Sequence, residues 1–347
     1  MQQPKFISFL GLFPRLYRIV PGLIKGSYHA ITGSTASGKS KFAKFVAVIF
    51  AYFYCKTNNI PLDVIWFARE ESYDKFWTTI LSDLLFDRYQ VAVTYYQIKG
   101  FHEGITPENQ AMIDELMPEI EEMKKHIHVI DNVGNPTGML REAEKVLLTI
   151  GRIIDGEEFI DKQGNKVSKK SFVYNDPDHH VIVVNDHIGL TDTENNKIEP
   201  VNTLFLAISK WSKYALEELI KKYNCIVIDV HQQEMAGENV EHRKANLVQP
   251  TEAKLGDNKI VGRNYMYTWG LFRPHKYEIS RWFDYEIAKF KKHFTGLLLI
   301  KHRDGEADVA TGLYFHGITN KYEELPLPFI ENTKTPNPEL EQFYNRS

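Results

Sequence analysis

Apolar residues in this chain fall in short, nearly continuous runs separated by longer stretches with helical spacing. The short runs are Tyr28–Thr32, Asp63–Ala68, His128–Ile130, Val181–Val184 and Cys225–Val230. Between and after them, Lys39–Tyr54, Tyr73–Phe86, Glu108–Lys125, Thr137–Ile150 and Leu204–Tyr223 read as helices. Strands that are apolar on both faces belong to a parallel sheet covered by helices on both sides. Nearer the C-terminus, Leu297–Ile300 reads as a strand and Thr311–Phe315 as its return. The pattern predicts an α/β fold: a mostly parallel, doubly wound sheet with antiparallel strands at its C-terminal end.

Two stretches break the alternation. Phe159–Tyr174 has a polar centre between short apolar runs and predicts an inserted β-hairpin, spanning about 157–175. Residues 233–258 are polar and aperiodic, the signature of a long functional loop. One domain is expected over 22–325, preceded by a segment 1–21 that can act as a linker and followed by a Pro- and Asn-rich tail over 326–347. The longest apolar run, Phe45–Tyr54, falls short of the roughly 20 residues a membrane helix needs.

Composition narrows the class. Of 347 residues, 43% are hydrophobic and 25% charged, as in soluble globular proteins, and the net charge of −3 excludes a grip on nucleic acid by overall basicity. Two cysteines, Cys55 and Cys225, form no disulfide scaffold and fit a reducing, cytoplasmic setting. No acid precedes Asp63, whereas Arg15, Lys25, Lys39, Lys41 and Lys44 do, which suits binding of a polyphosphate.

The candidate chemistry begins at Gly33-Ser34-Thr35-Ala36-Ser37-Gly38-Lys39-Ser40, which matches the phosphate-binding P-loop. Its glycines let successive backbone N–H groups face a phosphate, Lys39 reaches the β- and γ-phosphates of ATP, and Ser40 offers a hydroxyl to Mg²⁺. A strand before and a helix after supply the required context. The next strand ends in Glu70 and Glu71, and a carboxylate at that tip can deprotonate the attacking water. Glu70 is the favoured base. Val181–Val184 runs through Asn185 into Asp186, a pattern that places a carboxylate beside the P-loop serine to hold Mg²⁺. His231 and Gln232 end the following strand, where a polar group can sense the γ-phosphate. Lys301 and Arg303, two apart on a strand, share one face and suit the role of cations inserted into a neighbour's site.

The order of these blocks resembles the DnaB-like replicative helicases, phage type, with a RecA-like P-loop ATPase core alone. Gly22–Gly26, Phe67-Ala68-Arg69-Glu70, Asp186-His187-Ile188, His231-Gln232 and Lys301-His302-Arg303-Asp304-Gly305 carry the resemblance. It implies Glu70 as base, Lys301 and Arg303 acting in trans, and a ring, hexameric in that family. It also implies single-stranded DNA held by loops after Asp186 and Gln232, with Arg243 and Lys244 the expected backbone contacts, and a separate primase or polymerase as a further partner. Arg69, where the family has an apolar residue, and the hairpin insert depart from the pattern. The competing expectations are a RecA-type recombination ATPase and a KaiC-like regulatory ATPase without nucleic acid.

Overall fold

A computed structural model describes residues 6–101, 104–160, 166–194, 203–234, 247–255, 259–317, 319–331 and 333–346. Its strands, in chain order, are β1 (Ile7–Ser8), β2 (Gly22–Leu23), β3 (Tyr28–Gly33), β4 (Leu62–Ala68), β5 (Ile127–Ile130), β6 (Gly151–Ile160) and β7 (Lys166–Tyr174). They continue with β8 (His180–Asp186), β9 (Ile226–Gln232), β10 (Tyr267–Phe272), β11 (Arg281–Trp282), β12 (Tyr285–Glu286), β13 (Phe294–His302), β14 (Val309–Phe315) and β15 (Tyr322–Glu324). Nine form one sheet in the order β15-β14-β13-β10-β3-β9-β8-β4-β5. The run from β10 to β5 is parallel, and β13 to β15 add on antiparallel. The expected α/β class is the observed one.

Every residue of β3, β4 and β8 is buried, which explains why these strands read as unbroken apolar runs. One face carries the helix that begins at Lys39–Lys44, widens through a π-helical turn at Phe45–Phe50 and continues as Ala51–Thr57. Helices Tyr73–Tyr89 and Pro107–His126 pack on the same face, burying Phe76, Ile80, Leu116 and Met123 against Val64 and Trp66. The other face is covered by Pro136–Ile150 and by Leu204–Tyr214 with its π-helical extension Ala215–Ile220. Helix starts follow local chemistry: Ser72, Thr106, Asn135 and Thr203 each accept a backbone N–H of the first turn. Among the described residues, no helix is long and apolar enough to cross a membrane.

Three departures from expectation have physical causes. The inserted hairpin begins earlier than 157: β6 starts at Gly151, directly where the preceding helix ends, and pairs with β7 as a separate two-stranded ribbon. Residues 6–21 are no free linker. β1 pairs with β2, and Phe9, Phe13, Leu16 and Val20 are buried against Phe42, Phe45 and Trp269. The tail is partly ordered: helix Glu339–Tyr344 buries Leu340 and sets Tyr344 against Phe290, ring centres 4.7 Å apart. In both terminal segments a few large aromatic side chains provide the burial that holds a short stretch in place.

A buried carboxylate joins β3 to β9. Asp229 accepts from Tyr28 Oη at 2.6 Å, Trp211 Nε1 at 2.8 Å and Tyr265 Oη at 3.1 Å. Burial pushes its pKa up to about 6, and the three donors oppose that rise. Asp229→Ala leaves three buried donors without an acceptor, each worth about 1–3 kcal/mol. Urea unfolding should show Asp229→Ala losing several-fold more stability than Asp229→Asn, which keeps one acceptor oxygen. Equal losses would mean that the network contributes nothing beyond packing.

Candidate functional site

Residues 33–38 turn the chain from β3 into the helix at Lys39. Ala36 and Gly38 take positive φ, 60° and 91°, and this alternation directs backbone N–H groups into one concavity. A Cβ on Gly38 would lie 2.6 Å from Tyr322 Oη, so the position is closed to side chains by space as well as by torsion. Ser37 Oγ is buried with no hydrogen-bond partner among the described residues. Lys39 is buried, and its Nζ donates to Ser34 O at 2.9 Å, so the cation lies over the loop's own curl.

The loop opens into a cavity of about 390 Å³. Thr35, Gly38, Lys39 and Ser40 form its floor, and Glu70, His187 and Gln232 one wall. The opposite wall is Arg273 and Phe315, with the guanidinium 5.1 Å from the ring centre. Five strands meet here because β4, β8, β9 and β10 all run parallel to β3 and deliver their C-terminal tips to one edge.

Ser40 Oγ donates to Asp186 Oδ1 at 2.8 Å. This contact fixes the register of β8: Asp186, and not Asn185, faces the P-loop. Burial pushes the Asp186 pKa up to about 7; the Ser40 bond opposes the rise and nearby Glu71 and Glu70 add to it. Among the described residues, no three or more His, Cys, Asp or Glu are arranged to hold a metal by themselves. A serine and one carboxylate beside a phosphate cradle fit Mg²⁺, which takes few protein oxygens and completes its shell with phosphates and water. The buried, uncompensated Asp186 is the observation that supports this fit.

The two glutamates at the tip of β4 part company. Glu71 Oε1 lies 2.6 Å from Lys44 Nζ in a nearly buried pair, so its carboxylate is already engaged. Glu70 lines the cavity, and His187 beside it holds its carboxyl below the usual glutamate range. His231 and Gln232 separate as well. Gln232 Nε2 donates to Thr35 Oγ1 and lines the cavity. His231 is fully buried on the other face of β9, with Nδ1 3.1 Å from Gln232 O. The expectation that both residues share the phosphate edge is corrected: alternation along a strand sends neighbours to opposite faces.

Lys301 and Arg303 do share a face, since both reach the 252–263 stretch. Lys301 Nζ donates to Glu252 Oε1 at 2.8 Å and Gly262 O at 2.7 Å, and Arg303 Nη2 donates to Arg263 O. They stand at the sheet end opposite the cavity. Tyr267 of β10 pairs with His302 on one side and His29 on the other, whereas Leu271 pairs with Gly33. Four residues of strand amount to about 13 Å between the two ends. Arg243 and Lys244 lie outside the described residues.

Sequence reasoning missed three groups at the cavity. Lys276 Nζ donates to Thr35 O at 3.1 Å and to Ser34 Oγ at 3.3 Å. Arg273 and Phe315 form the wall described above. The available signal was Phe272-Arg273-Pro274, an apolar strand ending in a cation and a proline. Its value depends on knowing that β10 lies beside β3.

No family model and no curated protein sequence matches the chain. Solved structures do. The ATPase domain of a DnaB-like helicase superposes with a TM-score of 0.64 at 16% identity, covering 90% of both chains. A DnaB-like replicative helicase, described with its interactions with primase, gives 0.65 at 15% identity over 94% of this chain. This chain spans 65% of that protein's length. The fold is therefore that of RecA-like helicase ATPase domains.

The raised pKa of Asp186 has a measurable sign. A carboxyl whose folded pKa lies above its unfolded value contributes stability below about pH 4, and loses it as pH rises through about 7. Without nucleotide or metal, Asp186→Asn should raise the melting temperature at pH 8 and change it little at pH 5. A melting temperature unaffected at both pH values would show Asp186 to be hydrated rather than desolvated.

Proposed function

We propose that this chain is an ATP hydrolase of the DNA-helicase type, working as a head-to-tail ring that moves along single-stranded DNA. The carrying observation is the separation of the phosphate cavity from Lys301 and Arg303. Both ends hold chemistry suited to phosphoryl transfer, yet they occupy opposite ends of one rigid sheet. A head-to-tail assembly sets one subunit's cations at the next subunit's cavity; a face-to-face twofold dimer does not. The likeness in fold to a DnaB-like replicative helicase supports the same reading. A hexamer, a phage-type role in replication in the cytoplasm, and a separate primase or polymerase as partner are its finer parts.

In this reading the amides of residues 33–38 and Lys39 bind the phosphates, and Ser40 and Asp186 hold Mg²⁺. The metal supplies charge neutralisation at the phosphates when bound. Arg273 and Phe315 flank the nucleotide base, a cation and a ring face suited to a flat π-system. Gln232, tied to Thr35, reports the γ-phosphate to the loop that follows β9. Glu70 takes the proton of the attacking water. Arg303 of the neighbouring subunit, with Lys301, stabilises the transferring phosphoryl charge, an effect of roughly 10³–10⁵ in rate. Arg243 and Lys244 contact the DNA backbone, and few such contacts per subunit suffice because they multiply around a ring.

ATP turnover with and without single-stranded DNA, measured beside native mass, tests the whole reading. Stimulation by DNA in a ring-sized species is expected; a monomer indifferent to DNA would refute it. Glu70→Gln should keep nucleotide binding and lose about 10²–10⁴-fold in hydrolysis. A larger effect at Glu71→Gln would reassign the base.

Lys39→Ala and Arg303→Ala should each be inactive alone. Mixed in exchanging rings, they should recover part of the activity, since some interfaces join an intact cavity to an intact arginine. An active Arg303→Ala protein would remove the trans role. Neutralising Arg243 and Lys244 should weaken DNA binding regardless of sequence and flatten its salt dependence. An unchanged salt slope would move the contact elsewhere.

A further inference from the structure

The segment that follows Asp186 grips the tip of β4 at two adjacent residues. His187 Nε2 lies 3.1 Å from Glu70 Oε1. The other ring nitrogen, Nδ1, accepts the backbone N–H of Gly189 at 3.0 Å. A neutral imidazole carries one N–H, so the Gly189 contact places that hydrogen on Nε2, facing the carboxylate. The His187 side chain is 14% exposed and that of Glu70 48%. One carboxylate oxygen thus meets a packed ring while the residue stays open toward the cavity.

Arg69 provides the second grip. Its backbone N–H donates to Asp186 O at 2.8 Å, and its Nη2 lies 2.7 Å from Asp192 Oδ2. Asp192 N in turn donates to Gly134 O at 2.9 Å. Residues 187–192 are therefore tied at both ends, to β4 and to the turn before helix Pro136–Ile150. A Cβ on Gly134 would fall 2.0 Å from Arg69 Nη2, so the guanidinium fills the space beside that turn. The arginine that departs from the apolar pattern of the resembled family has a defined task here.

We propose that His187 is the positioning residue for Glu70, and that the Arg69–Asp192 pair fixes the stretch that carries it. The inference rests on the reading of Glu70 as the base. A half-exposed glutamate samples several rotamers, and a base that must meet a water within hydrogen-bond reach loses rate in all but one of them. With Oε1 held by the Nε2–H, Oε2 is left to the water. His187 exchanges no proton with the reacting atoms; it acts through Glu70.

The test uses the full-length chain, with steady-state ATP hydrolysis and equilibrium binding of a non-hydrolysable fluorescent ATP analogue. His187→Leu should lower kcat about 10–100-fold, the scale of a misplaced catalytic group. KM and the analogue's Kd should stay within about twofold, the pattern of a group that acts only in the transition state. His187→Gln, whose amide N–H sits near the place of Nε2, should recover much of the loss. Asp192→Ala should show a smaller loss that adds nothing to His187→Leu.

Equal loss in the Gln and Leu variants, or a Kd that weakens as much as kcat falls, would make His187 merely structural and overturn the proposal. Wild-type kcat in His187→Leu overturns it too. An unchanged Asp192→Ala, or one additive with His187→Leu, overturns the part assigned to Arg69. Glu70→Gln keeps the two readings apart. If it abolishes turnover while the His187 variants behave as wild type, only this inference fails. If it turns over normally, the assignment of the base fails and takes the inference with it.

Discussion

The tight curl of residues 33–38 is the constraint to which the rest of the molecule answers. A loop with Ala36 and Gly38 at positive φ is costly in isolation and persists only where its surroundings over-determine it. Those surroundings come from four other strands. Gln232 at the end of β9 reaches Thr35, Lys276 beyond β10 reaches Thr35 and Ser34, and Tyr322 on β15 donates to Gly38 O at 3.2 Å. Asp186 at the end of β8 takes the Ser40 hydroxyl. The sheet is thus a frame whose members each hold one point of the phosphate cradle, and its antiparallel strands belong to the site as much as its parallel ones.

Buried acids mark the places where this frame meets chemistry. Asp229 and Asp83 are satisfied by neutral donors: Tyr28, Trp211 and Tyr265 for the first, the backbone and side chain of Asn320 for the second. Burial nevertheless pushes both upward, to about 6 and about 7. Asp186 has the same burial with a single serine partner and two glutamates nearby. The first two are structural knots. The third is a negative charge held without compensation, which is the condition a divalent cation relieves.

The parts legible in the sequence were those written locally. Gly33 to Ser40 is a contiguous pattern, and the apolar run into Asp186 carries its own position. Glu70 and Glu71 were readable as a pair, but only the Lys44 contact separates them. His231 and Gln232 were read as neighbours on one edge; the alternation of β9 was available to split them, yet choosing the inward member required the register against β3. Arg273, Lys276 and Phe315 were invisible for a stronger reason. They reach the cavity through the insertion of β10 between β3 and β13, and no spacing in the chain encodes that neighbourhood. The N-terminal segment misled because Phe9 and Phe13 look like a short amphipathic stretch whose partners are not local: Phe42, Phe45, Phe50 and Trp269.

The bond from Tyr322 to Gly38 spans 284 residues, and that from Arg15 to Glu324 spans 309. A cradle braced over such distances cannot be finished early in synthesis. While the chain emerges, β3 and the helix at Lys39 are made first and wait for β10, β14 and β15 before their geometry closes. Contacts of this sequence separation make folding slow and leave partly formed sheet edges exposed in the interval. A growing chain therefore has its glycine-rich turn long before it has a nucleotide pocket. Truncations that stop short of Tyr322 should carry the whole P-loop sequence in a form unable to hold a phosphate.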